Sequence, residues 1–376
     1  MKTYKIAYLL LALVVIGCNK SDDSSGQGGD NKSVDADYTL LMSNGSTLNA
    51  QFLNANAEVV TLNPAQSNFV EKALPQLTYS RGTGFLQYHK TGNCSGEITK
   101  HDFSNDVSTE LEIFTDLSDC DLTATAIAES GNSIFIGYEV EKSSMTNDYL
   151  VRVIDMSATD NSFVDVTLDK KPVDLEIANN QLFILTLDEE VTGENSLSVM
   201  DLNTNTLIIE MGLGYDAQQI FRNIYDDIII SYSELHTTLN SSTMNLVYTR
   251  YSNGTEPQFV SSNSNHFDLE GKLYYPMSPG SNSIYPLIPA VYDFSQNLVV
   301  LYAYENFLTE AKRDFEFEIE TTTTVSYDDK NDLMLIGYKK TGGSNKGGLL
   351  RIKPTPEPAF VDNLDLDGIP YGIFID

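Results

Sequence analysis

Residues 171–204 read KPVDLEIANNQLFILTLDEEVTGENSLSVMDLNT. Apolar and polar side chains alternate through Lys171-Pro172-Val173-Asp174-Leu175, Asn179-Asn180 makes a polar turn, and Leu182-Phe183-Ile184 starts a β-rich run. After a polar loop comes a further strand, Leu197-Ser198-Val199-Met200, ending in Asp201-Leu202-Asn203-Thr204. Period-two alternation broken by short polar turns reads as antiparallel hairpins, and each strand is far too short to be a helix of ordinary length.

Working outward, the middle run recurs. Segments at 38–42, 84–89, 133–138, 181–187, 227–232, 272–275 and 332–338 have the same character, and their starts differ by 46, 49, 48, 46, 45 and 60 residues. Polar turns such as Ser130-Gly131-Asn132 and Asp328-Asp329-Lys330-Asn331 introduce them, and endings such as Val153-Ile154-Asp155 and Val291-Tyr292-Asp293 follow. Four short strands per unit, repeated about seven times, predict an all-β chain: a seven-bladed β-propeller of four-stranded antiparallel blades over residues 37–376. Pro370 to Ile375 read as a first strand without followers and Tyr38 begins a second strand without a predecessor. The N- and C-terminal strands are therefore expected to share one blade and so remove an open sheet edge.

The pattern quoted above resembles the YVTN or surface-layer type of propeller repeat, and blade four matches best. Length, blade layout and the N-terminal motif described next also resemble lipoprotein propellers of Bacteroidota that sit beside TonB-dependent transporters, among them capture proteins for ferric siderophores. That resemblance implies a non-catalytic, ligand-binding role and transfers no binding residue.

The first residues have a positive start (Lys2, Lys5), an apolar run from Ile6 to Ile16 and then Val15-Ile16-Gly17-Cys18. The run is too short to span a bilayer and reads as a signal peptide, residues 1–17. The motif resembles a lipobox, which makes Cys18 the acylated anchor. Residues 18–36 hold almost no apolar side chains and predict a flexible tether. Asn19-Lys20-Ser21-Asp22-Asp23 resembles the acidic export signal of surface lipoproteins, so the expected location is the outer membrane, lipid-anchored and facing the exterior.

Lys plus Arg total 23 against 53 Asp plus Glu, a formal net charge of −30. A nucleic-acid backbone would be repelled. The acidity is spread along the chain and suits solubility of an exported protein.

In such a propeller the loop between strands two and three and the link to the next blade share one face, here the upper face. Cys94 falls in the first kind of loop and Cys120 in the second, both in blade two, which predicts a disulfide in an oxidising compartment. A thiolate metal site or a reactive thiol is the alternative. Long upper loops are expected at 139–148, 188–195, 234–243, 278–286 and 339–347, with an insertion at 304–316 that can form a short helix or lid. In and beside it, Tyr302, Tyr304, Lys312 and Arg313 make a candidate patch for an anionic aromatic ligand; salt bridges from the cations to Glu310, Asp314 or Glu316 with core tyrosines are the competing reading.

His89, His101, His236 and His266 lack metal-pair spacing; His89 and His101 are expected on the surface of blade two. Asp362, Asp365 and Asp367 gather before Gly368 like part of a calcium loop, without its bidentate glutamate, so a polar turn is the competing reading. No G-x-S-x-G elbow and no P-loop occur, Trp is absent, and no metal, cofactor or catalytic residue is assigned. The expected function is ligand binding, with a possible outer-membrane transporter as partner; adhesion or scaffolding, and a hydrolase or lactonase at the channel mouth, are the alternatives. Cys18→Ser should abolish incorporation of labelled palmitate into the expressed chain and release it from membranes.

Overall fold

A computed structural model describes residues 38–375 apart from 57, 119, 144–145, 158–161, 260–265 and 344. The signal peptide, Cys18 and the tether lie outside the described residues.

Seven antiparallel sheets form the propeller. Blade 1 is ordered Ile369–Ile375, Tyr38–Ser43, Thr47–Ala55, Val60–Gln66, with Lys72–Ala73 pairing alongside. The other six are consecutive in sequence, and their first strands are Leu77–Arg81, Leu122–Ser130, Lys171–Ala178, Gln219–Arg222, His266–Phe267 and Ile319–Asp328. The expected closure is present: Tyr38 faces Ile375 and Ser43 faces Ile369 across an antiparallel ladder with one bulge after Leu41.

The core explains why the strands read as they do. The buried apolar residues fall into seven clusters, each straddling one interface between neighbouring blades. Along Gln181–Leu187, Leu182 and Ile184 pack toward blade 3 while Phe183 and Leu185 pack toward blade 5. Side chains alternate across a strand, so a blade covered on both faces needs apolar residues at successive positions, and this one has them.

Polar clasps fasten the interface between blades 7 and 1. The Tyr38 hydroxyl donates to Asp328 Oδ2 at 2.5 Å. Fully buried Arg351 donates to both oxygens of Asp362 at 2.8 Å and to the Asn56 carbonyl at 2.6 Å, while Asp362 also accepts the Val60 N–H at 2.7 Å. Arg152, on the third strand of blade 3, makes the corresponding pair with Asp165 on the fourth and adds Asp116 from the incoming link. Each buried guanidinium meets a bidentate carboxylate, the geometry in which a buried ion pair is best compensated.

Two glycines mark where blades approach closely. A Cβ on Gly137 would meet the Pro172 ring at 3.0 Å, and one on Gly337 would meet the Pro370 ring at 2.6 Å and Thr324 at 2.5 Å. Each lies on a second strand and abuts the proline at the start of the next blade. Gly337→Ala should cost about 1–3 kcal/mol, the usual penalty for overpacking. Gly137→Ala should cost less; denaturant unfolding of the two variants checks the order.

Candidate functional site

Turns between the first and second strands of each blade define a lower face; loops between strands two and three and the inter-blade links define the upper one. The upper face carries several of the expected features. Cys94 and Cys120 are joined by a disulfide with an S–S distance of 2.08 Å. The insertion forms short helical turns at Tyr304–Asn306 and Lys312–Glu316. Two expected loops are corrected: in 139–148 the strands Ser133–Ser143 and Thr146–Asp155 occupy most positions, and 234–243 contains the third strand Leu235–Leu239. In both, β-capable residues among polar ones extend the ladder.

The four candidate ligand residues do not assemble into one accessible patch. Tyr304 is fully buried and its hydroxyl shares a hydrogen bond with Thr322 Oγ1 at 2.7 Å; Tyr302 is also buried, and both belong to the core between blades 6 and 7. Lys312 lies over the Phe360 ring, 3.8 Å from its centroid. Arg313 stands near Tyr285, whose hydroxyl donates to Asp314. The tyrosines are therefore packing residues, and Lys312 is satisfied by the protein's own ring.

Other polar residues also have structural partners. His101 is a core residue, not a surface one: it is fully buried beside Phe69 and Phe103 and bonds Ser108 at 2.7 Å. It faces Phe85 across the hairpin, while His89 faces Glu97, so the two histidines do not pair. Asp362 holds Arg351, Asp365 pairs with Lys340 and Asp367 with Lys346, each on a different cation. Among the described residues no group of three or more His, Cys, Asp or Glu side chains is placed to hold a metal ion.

The central channel is where polar groups converge. Its cavity measures about 790 Å³ and is lined by first strands of blades 1, 2, 4, 5, 6 and 7. Blade 2 supplies Tyr79 and Arg81, blade 4 Asp174 and Glu176, blade 5 Gln219 and Arg222, blade 6 His266, and blade 7 Ser326. The cavity includes Gly82-Thr83 and Asn223-Ile224, which lie in turns after first strands, so it reaches the lower face. That is the face opposite the long loops.

Two carboxyls occupy alternate positions of Lys171–Ala178. Asp174 accepts the Leu175 N–H at 2.9 Å and, across the blade interface, the Ile220 N–H at 2.8 Å. Both Asp174 and Glu176 touch channel space yet are surrounded by protein, and burial is the main cause that pushes each carboxyl up, Asp174 to about 7. Glu176 accepts a hydrogen bond from Tyr79 at 2.9 Å, spanning blades 4 and 2, in the combined field of Arg81 and Arg222. Arg222 is paired with Asp226 at 2.6 Å; Arg81 has no carboxylate within 4.0 Å among the described residues. Burial holds the His266 imidazole below its ordinary value, against the opposing pull of Asp329 and Asp268.

Sequence reasoning missed this site. The available signal was the pair of acids alternating with apolar residues in Val173-Asp174-Leu175-Glu176-Ile177, together with Arg81 and Arg222 at the ends of their strands. Charge is tolerated on an inner strand only where the side chain reaches solvent or a partner.

Comparison with solved structures agrees with the propeller. A variant apocarotenoid oxygenase from Synechocystis has a TM-score of 0.50 at 10% identity, covering 90% of this chain and 91% of that one. The Pan2 WD40 domain of Neurospora crassa scores 0.46 at 7% identity over 79% and 82% of the two chains. TolB from Acinetobacter baumannii scores 0.40 at 9% identity over 90% and 82%. Such identities show the fold alone. No protein-family model matches the chain, and no curated protein matches its sequence.

The raised Asp174 carboxyl predicts a pH dependence. The folded chain holds this proton more tightly than the unfolded chain, so the stability it contributes is present below about pH 4 and declines as pH rises toward about 7. Asp174→Asn removes that slope. The melting temperature of the parent minus that of Asp174→Asn should be larger at pH 5 than at pH 8; a difference independent of pH would contradict the assignment.

Proposed function

We propose that this chain is a lipid-anchored binding propeller on the cell exterior, which captures a small polar ligand in its central channel and hands it to an outer-membrane transporter. The channel carries this reading. It has the volume of a small-molecule site and converging polar side chains from several blades, held on strands rather than loops. The lipobox-like segment ending in Cys18, the acidic residues after it and the resemblance of the repeats to surface-layer propellers support the location. The resemblance to siderophore-capture lipoproteins makes ferric siderophores the first ligands to test.

A second reading, hydrolase or lactonase, draws on Asp174 and Glu176, two half-buried carboxyls on one strand of the channel wall. Acid–base hydrolysis uses a pair of carboxyls, and burial favours the protonated form of both of these. Turnover of a lactone or ester panel that is lost in Glu176→Gln would favour it.

The chain contains no tryptophan, which gives a direct test of where a ligand sits. Ser80→Trp places a single fluorophore in the channel wall, and Phe315→Trp places one on the upper insertion, where Phe315 is 79% exposed. With ferric siderophores, haem and oligosaccharides as the panel, capture in the channel predicts a saturable emission change in Ser80→Trp alone. A change confined to Phe315→Trp would move the site to the upper face. Silence in both, with a protein partner recovered from outer membranes, would favour adhesion or scaffolding.

A further inference from the structure

Several channel groups lie near the lower ends of their strands. Arg81 and Arg222 are the last residues of their first strands, His266 is one residue from the end of its strand, and Glu176 and Ser326 are two from the end of theirs. First strands of neighbouring blades run in the same direction around the axis. All five lie within two residues of the lower ends of their strands and line the same cavity, which places them around its lower mouth.

The hydrogen-bonding balance of this wall is uneven. Gln219 Nε2 and His266 Nε2 are buried without a protein partner, as is the hydroxyl of Ser326, whose residue is 1% exposed. Gln219 is 8% exposed and lies deeper, nearer the start of its strand. Arg81 adds a half-buried guanidinium with no carboxylate within 4.0 Å among the described residues, in a chain where acids outnumber bases 53 to 23. The guanidinium and the amide nitrogen can only donate and the hydroxyl can do so, whereas the His266 ring already bonds the Tyr327 carbonyl, which leaves Nε2 of a neutral imidazole as an acceptor. The Gln219, His266 and Ser326 atoms are enclosed by protein and do not reach the open channel, whereas Arg81 does, and an unpaired guanidinium facing that space in so acidic a chain implies an acceptor supplied from outside the fold.

We infer that the lower ring of the channel is a receptor for an oxyanion group of a small molecule, a carboxylate, phosphate or sulfate, gripped by Arg81, with Arg222, itself paired to Asp226, adding positive charge to the same cavity. Arginine suits this role because its planar fork matches two oxygens of such a group. The nearby acids do not cancel the site. Glu176 already accepts from Tyr79, Asp174 accepts two backbone N–H groups, and burial disfavours the charged form of both. Phe267 and Ile224 line the same wall and offer apolar surface to the remainder of the ligand. This inference rests on the channel being the capture site and specifies what is captured there.

The test uses the full chain in detergent carrying Ser80→Trp as reporter, titrated with phosphate, sulfate, succinate, benzoate and a neutral oligosaccharide. At least one oxyanion should saturate the signal, weaken with added chloride, and bind about tenfold or more weakly in Arg81→Ala. Arg81→Lys should recover part of the loss, and unchanged melting curves of both variants in the absence of ligand separate lost binding from lost fold. If the oligosaccharide alone binds, or if oxyanions bind equally well to Arg81→Ala, the oxyanion assignment is overturned while capture in the channel stands. If no member of this panel or of the siderophore and haem panel changes the reporter, both fall.

Discussion

Everything in this fold depends on one ladder, the pairing of Ile369–Ile375 with Tyr38–Ser43. Seven sheets in a ring bury apolar surface only between neighbours, so one open interface would expose the faces of two blades at once. The last strand of the chain must find the first, across the largest sequence separation available, and the gain from that contact arrives only after the whole loop is closed. Tyr38 to Asp328, Arg351 to Asn56 and Val60 to Asp362 then bind the completed blade 1 to blade 7. Directional bonds at the closing seam define the register where apolar packing alone would tolerate a slip.

Closing the ring also creates the channel. Seven first strands cannot meet at the axis, so their inner edges are the one place in the core where side chains face neither a neighbouring blade nor bulk solvent. Along Lys171–Ala178 this produces two environments two residues apart: Leu175 and Ile177 enter the interface with blade 3, and Asp174 and Glu176 face the axis. Strand alternation thus lets one short segment serve packing and chemistry together, and burial at the axis raises the carboxyls without any contact designed for that purpose.

The fold was legible because its signal is repeated. A spacing of 45 to 49 residues, stretched to 60 before the last blade, polar turns and β-rich second strands mark the blades, and all seven second strands occur where the pattern places them. The disulfide was legible from topology, since Cys94 and Cys120 fall in two connections of one blade that share a face. The channel was not. Tyr79, Arg81, Glu176, Arg222 and His266 come from four blades and lie up to 187 positions apart in sequence, and nothing local to any of them shows that it shares a space with the others. The upper insertion drew attention instead because Lys312 and Arg313 are adjacent, and adjacency is visible in sequence where convergence is not. Tyr302 and Tyr304 were harder still, because an aromatic residue beside a loop reads alike whether its ring is inside or out.

The chain enters the ring at Tyr38 and leaves it at Ile375, which face each other at one end of the closing ladder. A second strand starts, and a first strand ends, on the lower face, so both chain ends reach the propeller on the side where Arg81 and Arg222 stand. A group attached beyond Ile375 by a short flexible linker is held near that mouth at an effective concentration on the order of millimolar. The upper face lies a full strand away, roughly 23 Å for a seven-residue strand. A fusion partner, an affinity tag or an immobilising bead joined closely beyond Ile375 therefore competes with entry to the channel. One inserted in the upper 188–194 loop leaves that entry free.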